Sequence, residues 1–266
     1  MSPPSLGTYL ILRLRTTGTS SNVSLGPGRR QCIVQGASHG IRCVAFGSPI
    51  AANGCQMERK RVGIVVFEDV EVLDFCGPFE VFSATRVNEE KRREEPSPFD
   101  VLLIAERSAP VTTTGGMKVL PHYTFENCPH LDIILSPGGL GTRNELKNPR
   151  MLDWLRARAA EAETVTAVCT GSMLLGEAGL LDGLHATTHW RALDWMRDSL
   201  PSVTVEYGKH FVKDGRVFTS AGISAGIDMS LTVVAHYFGE DVARATARHM
   251  EYPYPESDAR RIVIGA

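Results

Sequence analysis

Short apolar runs alternate with amphipathic stretches along most of the chain. Four of the runs are rich in β-branched and aliphatic residues without polar alternation, as expected of strands buried on both faces. These runs are 61–67, 98–106, 130–139 and 164–169 (RVGIVVF, PFDVLLIAE, HLDIILSPGG and TVTAVC). Helical periodicity predicts a helix beginning near Gly77-Pro78, one over 149–163, one directly after Cys169 and a long one over 226–250. Strands that alternate with helices predict an α/β fold, a mostly parallel sheet covered by helices on both faces.

Two segments depart from this alternation and predict hairpins. The first is 109–125, which alternates around Gly115-Gly116, and the second is 202–222, where Asp214-Gly215 is a strong turn dipeptide. No repeat or interdomain linker interrupts the chain after Met57, so we expect one domain over 57–266.

Residues 1–56 have a different composition. They contain five Arg but no Lys, Asp or Glu, and they are rich in Ser, Gly and Pro without a sustained period. We expect a disordered leader here. One possibility is an organellar transit peptide, and the other is sequence translated upstream of a true start at Met57. We favour upstream translation, because a transit peptide should form a basic amphipathic helix and none can be drawn here.

Charge and apolar content exclude several classes of partner. The formal net charge of −2 gives no reason to expect nucleic acid or an anionic membrane surface. No apolar run reaches the roughly 18–20 residues that a membrane span requires. The six cysteines lack zinc-site spacing and the chain lacks a secretory signal, so we expect free thiols in the cytoplasm, or in an organelle if the leader is a transit peptide.

Cys169 ends the fourth apolar run and directly precedes a helical pattern. Its near neighbours Ala167 and Gly171 are small, as a sharp strand-turn-helix elbow requires. We expect the elbow to place the thiol in a pocket at the carboxyl ends of the strands, and the helix N-terminus to lower its pKa. The alternative is an inert core cysteine.

Two further segments supply candidate partners for this thiol. Gly138 and Gly139 close the third run, and their N–H groups, with that of Thr170, could form an oxyanion-type site. Asp74 follows the first run. It would face Cys169 if the first and fourth strands are neighbours, and it could move a proton only if its pKa is raised. The alternative for Asp74 is a helix cap.

Four blocks together resemble the ThiJ/PfpI superfamily, whose fold is similar to that of class I glutamine amidotransferases. They are LDFCGPFEVF, SPGG, AVCTGSMLLGEAGLLDGLHATTHW and TSAGISAGIDMSLTVVAHYFG, and the resemblance runs from about Arg61 to Tyr254. Within the superfamily the blocks are most similar to the isonitrile hydratase branch. The resemblance implies a flavodoxin-like sandwich, a homodimer, a small-molecule substrate and no metal or organic cofactor.

The resemblance also implies roles for individual residues. Isonitrile hydration to an N-substituted formamide would use Cys169 as the nucleophile of a thioimidate intermediate, Asp74 as acid and base, and Thr170 to orient the cysteine. Asp228 matches a further functional acid of that branch, with a helix cap as the alternative. His189 lies where the superfamily often has a histidine near the cysteine, with simple packing beside Trp190 as the alternative.

Other readings follow from departures from the family pattern. Cys76 stands where many relatives have Thr, so it is a packing residue or a second thiol near Cys169. A non-catalytic redox sensor or chaperone-like member, with Cys169 oxidised to sulfinic acid, is one alternative function. A glyoxalase or deglycase acting on small aldehydes is another, although such relatives usually have Glu at the position of Asp74.

Overall fold

The computed structural model describes residues 58–262 and, before them, the backbone of two short strands, β1 (Gln35–Gly36) and β2 (Ile41–Arg42). The chain divides into two units, Met1–Gln56 and Met57–Ala266. In the first unit β1 and β2 pair antiparallel. The predicted disorder of the rest of that unit lies outside the described residues.

The second unit contains eleven strands within the described residues. They are β3 (Lys60–Val65), β4 (Phe99–Ala105), β5 (Val111–Thr112), β6 (Lys118–Val119), β7 (Tyr123–Thr124), β8 (Ile133–Ser136), β9 (Thr164–Val168), β10 (His185–Ala186), β11 (Thr204–Val205), β12 (Phe211–Asp214) and β13 (Val217–Ser220).

Seven of these strands form the central sheet, in the order β12-β13-β9-β8-β3-β4-β7. All neighbours in it are parallel except β12 and β13, the predicted hairpin at Asp214-Gly215. From β3 the chain first builds outward through β4 and β7, then returns to β8 and continues through β9 to β13. The strand order therefore reverses between β3 and β8, and ligands of such sheets bind outside the carboxyl ends at this point.

Helices cover both faces of the sheet, as predicted. They are α1 (Val72–Ala84), α2 (Thr142–Glu145), α3 (Pro149–Glu161), α4 (Gly171–Glu177), α5 (Leu193–Ser199), α6 (Ala225–Phe238) and α7 (Glu240–His249). Helices α1, α6 and α7 pack on one another, and both α2 and α3 pack on α4. The central strands β3, β8 and β9 are almost entirely buried between these layers, which explains their uninterrupted apolar sequences.

Two helix boundaries differ from the sequence predictions. Helix α1 begins at Val72, so Pro78 lies inside it rather than in its first turn. Pro78 has no N–H, so it cannot donate the helical hydrogen bond to the carbonyl of Asp74. The predicted long helix over 226–250 is broken into α6 and α7 at Gly239, whose φ of 90° an L-residue rarely adopts. The predicted hairpin over 109–125 is confirmed by the pairing of β5 with β6.

None of the helices among the described residues is both long and apolar enough to cross a bilayer.

Gly239 gives a prediction about the α6–α7 corner. No atom lies within 4 Å of where its Cβ would be, so only its positive φ opposes a side chain. We expect Gly239→Ala to lower the free energy of unfolding by about 1–3 kcal/mol in urea titrations. Gly208→Ala is the matched control, because that position is equally open and carries no positive φ. Equal effects of the two substitutions would contradict a conformational role for Gly239.

Candidate active site

Cys169 occupies a tight elbow between β9 and α4. Its φ is +57°, which is uncommon for a residue with a side chain. Its N–H donates to the carbonyl of Ser220 (3.1 Å), and its carbonyl accepts from the hydroxyls of Ser172 (2.9 Å) and Thr188 (2.9 Å). Three separate segments thus hold the elbow in this conformation, and the expected strand-turn-helix geometry is present.

Glycines allow the surrounding segments to approach the elbow closely. A Cβ on Gly138 would lie 2.6 Å from both the amide nitrogen and Oγ1 of Thr170, and 3.0 Å from Oδ2 of Asp74. A Cβ on Gly222 would lie 2.6 Å from Sγ of Cys169 and 2.9 Å from Cδ2 of His189. The sulfur, the imidazole and the carboxyl group therefore sit directly against backbone that can carry no side chain.

Asp74 lies in the first turn of α1 and is 0% exposed. Its Oδ2 accepts a hydrogen bond from the N–H of Gly138 (3.0 Å), whereas its Oδ1 has no partner among the described residues. Burial raises the pKa of this carboxyl group to about 8, and the backbone N–H of Gly138 and the thiol of Cys169 only partly oppose that rise. Asp74 is therefore protonated at neutral pH. It is not a cap, since Glu71 occupies the N-cap position.

The route by which Asp74 reaches Cys169 differs from the one expected. Strands β3 and β9 are not neighbours, because β8 lies between them. Asp74 reaches the elbow across the end of β8, where Gly138 lies between the carboxyl group of Asp74 and Thr170 and leaves no room for a side chain. The charge of an ionised Asp74 would raise the pKa of the Cys169 thiol, so the two groups are coupled.

The thiol of Cys169 is less acidic than the sequence suggested. Burial is the main cause that raises the pKa of the Cys169 thiol well above its ordinary value, and the charge of the Asp74 carboxylate raises it further. The N–H of Thr170 stabilises the thiolate and opposes this rise only in part. The expectation that the start of α4 lowers the pKa of this thiol is wrong, because loss of water outweighs the peptide dipoles of a short helix. At neutral pH the pair is a neutral thiol beside a neutral acid.

Cys169 is 7% exposed and lines a pocket of about 390 Å³. The volume suits a small molecule. The lining comprises Glu71, Gly139, Leu140, Arg143, Cys169, Thr170, His189, Arg191, Ala192, Trp195 and Ile223. Sequence reasoning had singled out Cys169, Thr170, His189 and Gly139 but missed the charged and aromatic residues. Arg143 and Arg191 follow closely after the SPGG and ATTHW blocks, and that proximity was the available signal.

The two glycines of SPGG do not present free N–H groups. Gly138 donates to Asp74 (3.0 Å) and Gly139 donates to Oγ1 of Thr170 (3.2 Å), which also contacts the hydroxyl of Thr142 (3.0 Å). An oxyanion role for these glycines stays a prediction, and it would require both bonds to break. Their observed contribution is to hold Asp74 and Thr170 in place.

His189 is half-buried in the pocket wall. Its Nδ1 accepts a hydrogen bond from the N–H of Arg191 (3.3 Å), so the neutral ring carries its proton on Nε2. Burial, with the nearby charges of Arg191 and Arg260, lowers the pKa of this imidazole. His189 is thus uncharged at neutral pH, and its ring lies against the same Gly222 as the thiol.

Asp228 is buried elsewhere, in the first turn of α6, and does not line the pocket. Its oxygens bind Nε2 of His210 (2.8 Å), a guanidinium nitrogen of Arg261 (2.7 Å) and the hydroxyl of Tyr252 (3.3 Å). This carboxylate ties the C-terminal segment to the sheet edge. These contacts give Asp228 a structural role, and a catalytic role for it stays a prediction.

Cys76, Cys128 and Cys169 are all free thiols. Cys76 packs at the margin of the hydrophobic core and does not line the pocket, so its position favours the packing interpretation. Among the described residues no group of three or more His, Cys, Asp or Glu side chains is arranged to hold a metal ion.

The strand-turn-helix elbow at Cys169 lies beside the switch point of a parallel sheet, with a buried acid next to it. Residues 60–236 match the model of the DJ-1/PfpI family. The chain belongs to this family. The resemblance inferred from the four sequence blocks is therefore confirmed.

Individual relatives of this DJ-1/PfpI chain have different activities. It is 38% identical over 201 residues to isonitrile hydratase of Pseudomonas putida, covering 75% of this chain and 82% of the relative. It is 31% identical over 156 residues to the HTH-type transcriptional regulator GbdR of Pseudomonas aeruginosa, covering 58% of this chain but only 42% of the regulator. A solved ThiJ/PfpI family protein from Pseudomonas syringae superposes with a TM-score of 0.66 at 29% identity, covering 80% and 85% of the two chains.

The buried acid gives a prediction about stability. In the unfolded chain Asp74 ionises near pH 4, but in the folded protein it keeps its proton up to about pH 8. Between these values the folded state binds the extra proton, so the free energy of unfolding falls as pH rises, by about 1.4 kcal/mol per unit. We expect Asp74→Asn to unfold like the wild type near pH 4, and to be more stable than it at pH 8 by on the order of 5 kcal/mol in urea titrations. If the difference in the free energy of unfolding between Asp74→Asn and the wild type were the same at pH 4 and pH 8, the native carboxyl group would be ionised.

Proposed function

We propose that this protein hydrates a small isonitrile to the corresponding N-substituted formamide, with Cys169 as nucleophile and Asp74 as acid and base. The observation that carries the proposal is the neutral pair at the elbow: a thiol that lines the pocket, coupled to a carboxyl group whose pKa is raised to about 8. The 38% identity to isonitrile hydratase supports the substrate class.

The first step adds the thiol across the terminal carbon of R–N≡C. That carbon becomes electrophilic when it takes a proton, so an acid that is still protonated at neutral pH is required. Asp74 gives its proton to the carbon while the sulfur of Cys169 bonds to it, and the thiol proton passes to the carboxylate. The product is a thioimidate, R–N=CH–S–Cys, and Asp74 is again protonated.

The second step hydrolyses the thioimidate. Asp74 protonates the imine nitrogen and then, as carboxylate, removes a proton from the attacking water. The tetrahedral intermediate expels the sulfur, which regains a proton, and releases R–NH–CHO. The two steps together consume one isonitrile and one water, and both protein groups return to their starting state.

Neighbouring residues keep the pair in position. The N–H of Thr170 stabilises negative charge on the sulfur during each transfer, and its hydroxyl is fixed by Gly139 and Thr142. The neutral His189 ring lies beside the sulfur across Gly222. In this proposal it shapes the pocket and supplies no charge, because its pKa is lowered.

The raised pKa of the Cys169 thiol argues against the redox-sensor alternative. Oxidation to sulfenic and sulfinic acid proceeds through the thiolate, and this thiol resists ionisation. A protonated acid beside the thiol suits the addition chemistry instead. The aldehyde-removing alternative is tested directly by lactate formation from methylglyoxal.

The proposal predicts turnover that depends on one of the thiols. Purified protein should convert cyclohexyl isocyanide to N-cyclohexylformamide, measured by chromatography, and Cys169→Ala should abolish the conversion. Asp74→Asn should lower kcat/KM by at least about 100-fold, as loss of a general acid does. Cys128→Ala, which removes a buried thiol away from the pocket, is the matched control and should retain activity. If the protein formed lactate from methylglyoxal but no formamide from the isocyanide, the hydratase proposal would be wrong and the glyoxalase-type reaction would be supported.

The pH profile provides an independent test. Because Asp74 must start protonated and its pKa is about 8, kcat/KM for the isocyanide should be level between pH 6 and 7 and should fall about tenfold for each unit well above 8. A rate that instead rises through pH 8 would indicate attack by a free thiolate without the acid and would rule out this mechanism.

A further inference from the structure

Two arginines line the pocket without an acidic partner. Arg143 lies in α2, directly after the SPGG segment, and Arg191 lies in the 3₁₀ turn Trp190–Ala192 that follows His189. Neither guanidinium forms a salt bridge or donates a side-chain hydrogen bond to any residue in the described range 58–262. Most other arginines of the chain in this range do so, for example Arg150, Arg156, Arg197 and Arg244.

Each of these arginines is instead placed over an aromatic ring. The guanidinium carbon of Arg143 is 5.4 Å from the ring centre of Trp195, and that of Arg191 is 4.7 Å from the ring centre of Trp190. Such stacking restrains a guanidinium while leaving its N–H edge available. That edge matches the two oxygens of a carboxylate.

The charge balance of the pocket favours an anion. Glu71 is the acidic residue in the lining, so the two arginines leave the lining with a net positive charge. His189 and the adjacent Asp74 are both uncharged at neutral pH, so the net charge of the pocket stays positive. A substrate without charge would leave both guanidinium groups solvated and unused.

We propose that the substrate carries a carboxylate, which Arg143 and Arg191 bind while its reactive carbon lies at Cys169. The proposal rests on the function proposed above, and in that case the substrate is an isocyano acid and the product an N-formyl amino acid or a longer homologue. The pocket volume of about 390 Å³ accommodates a molecule of this size.

A matched pair of substrates tests the proposal by kinetics. Isocyanoacetate and methyl isocyanoacetate differ by the charge of the acid group. We expect kcat/KM to favour the anion about tenfold in the wild-type protein. Arg143→Gln and Arg191→Gln should each reduce that preference roughly threefold, through KM for the anion, with a smaller change for the ester. Preference for the ester in the wild type, or no response to the two substitutions, would overturn the proposal.

A second pair of probes tests the pocket without requiring turnover. Iodoacetate and iodoacetamide both alkylate a thiol with loss of iodide, but only iodoacetate is anionic. We expect the ratio of their rates at Cys169, followed by mass spectrometry at pH 7.5, to exceed the ratio for the same thiol in the urea-unfolded chain. It should fall about tenfold in the Arg143→Gln/Arg191→Gln double variant and decrease with added salt. An unchanged ratio in the double variant would overturn the carboxylate site.

The control is Arg93→Gln, because Arg93 is exposed and lies outside the pocket lining, so it removes the same charge elsewhere. It should leave both ratios unchanged, and a response equal to that of the pocket arginines would show a general charge effect and overturn the proposal. Turnover of neither isonitrile, together with an alkylation ratio that depends on the two arginines, would reject the hydratase and still support the carboxylate site.

Discussion

The site depends on the burial of one carboxyl group. Asp74 has no exposed surface and, among residues 58–262, accepts a single backbone hydrogen bond, so the neutral form is the stable one at neutral pH. The protein offsets the cost of leaving an acid in such a place by letting it keep its proton. The same burial raises the pKa of the neighbouring thiol, which makes the two groups a pair that exchanges protons rather than an ion pair.

That burial follows from the way the chain enters and leaves the sheet. The strand order reverses between β3 and β8, which leaves a crevice beside the elbow after β9. Helix α1 places Asp74 in this crevice, and glycines at 138 and 222 let backbone close around the acid and the sulfur. Residues further out, Arg143 and Arg191 with their tryptophans, then give the opening its charge. In this account the buried pair of Asp74 and Cys169 determines the reactivity of the site, and Arg143 and Arg191 at its opening determine which substrate it selects.

Much of the frame was accessible from the sequence, and the limits have physical causes. The apolar runs located β3, β4, β8 and β9, and the small residues around Cys169 indicated the elbow. The order of the strands was not accessible, because local periodicity carries no information on which strands pair. The acidity of Cys169 was misjudged, since burial depends on segments distant in sequence. Asp228 had the pattern of a functional acid, but its partners His210, Tyr252 and Arg261 come from three other segments.

The protonation state of Asp74 in the folded protein can be measured directly. Carbon-13 NMR of protein labelled at aspartate carboxyl carbons, with Asp74→Asn used to assign the resonance, follows the titration of this one group. The account predicts a midpoint for Asp74 near pH 8. A midpoint for Asp74 near 4 would show that the carboxyl group is ionised at neutral pH, and the acid-first addition at Cys169 would then be excluded.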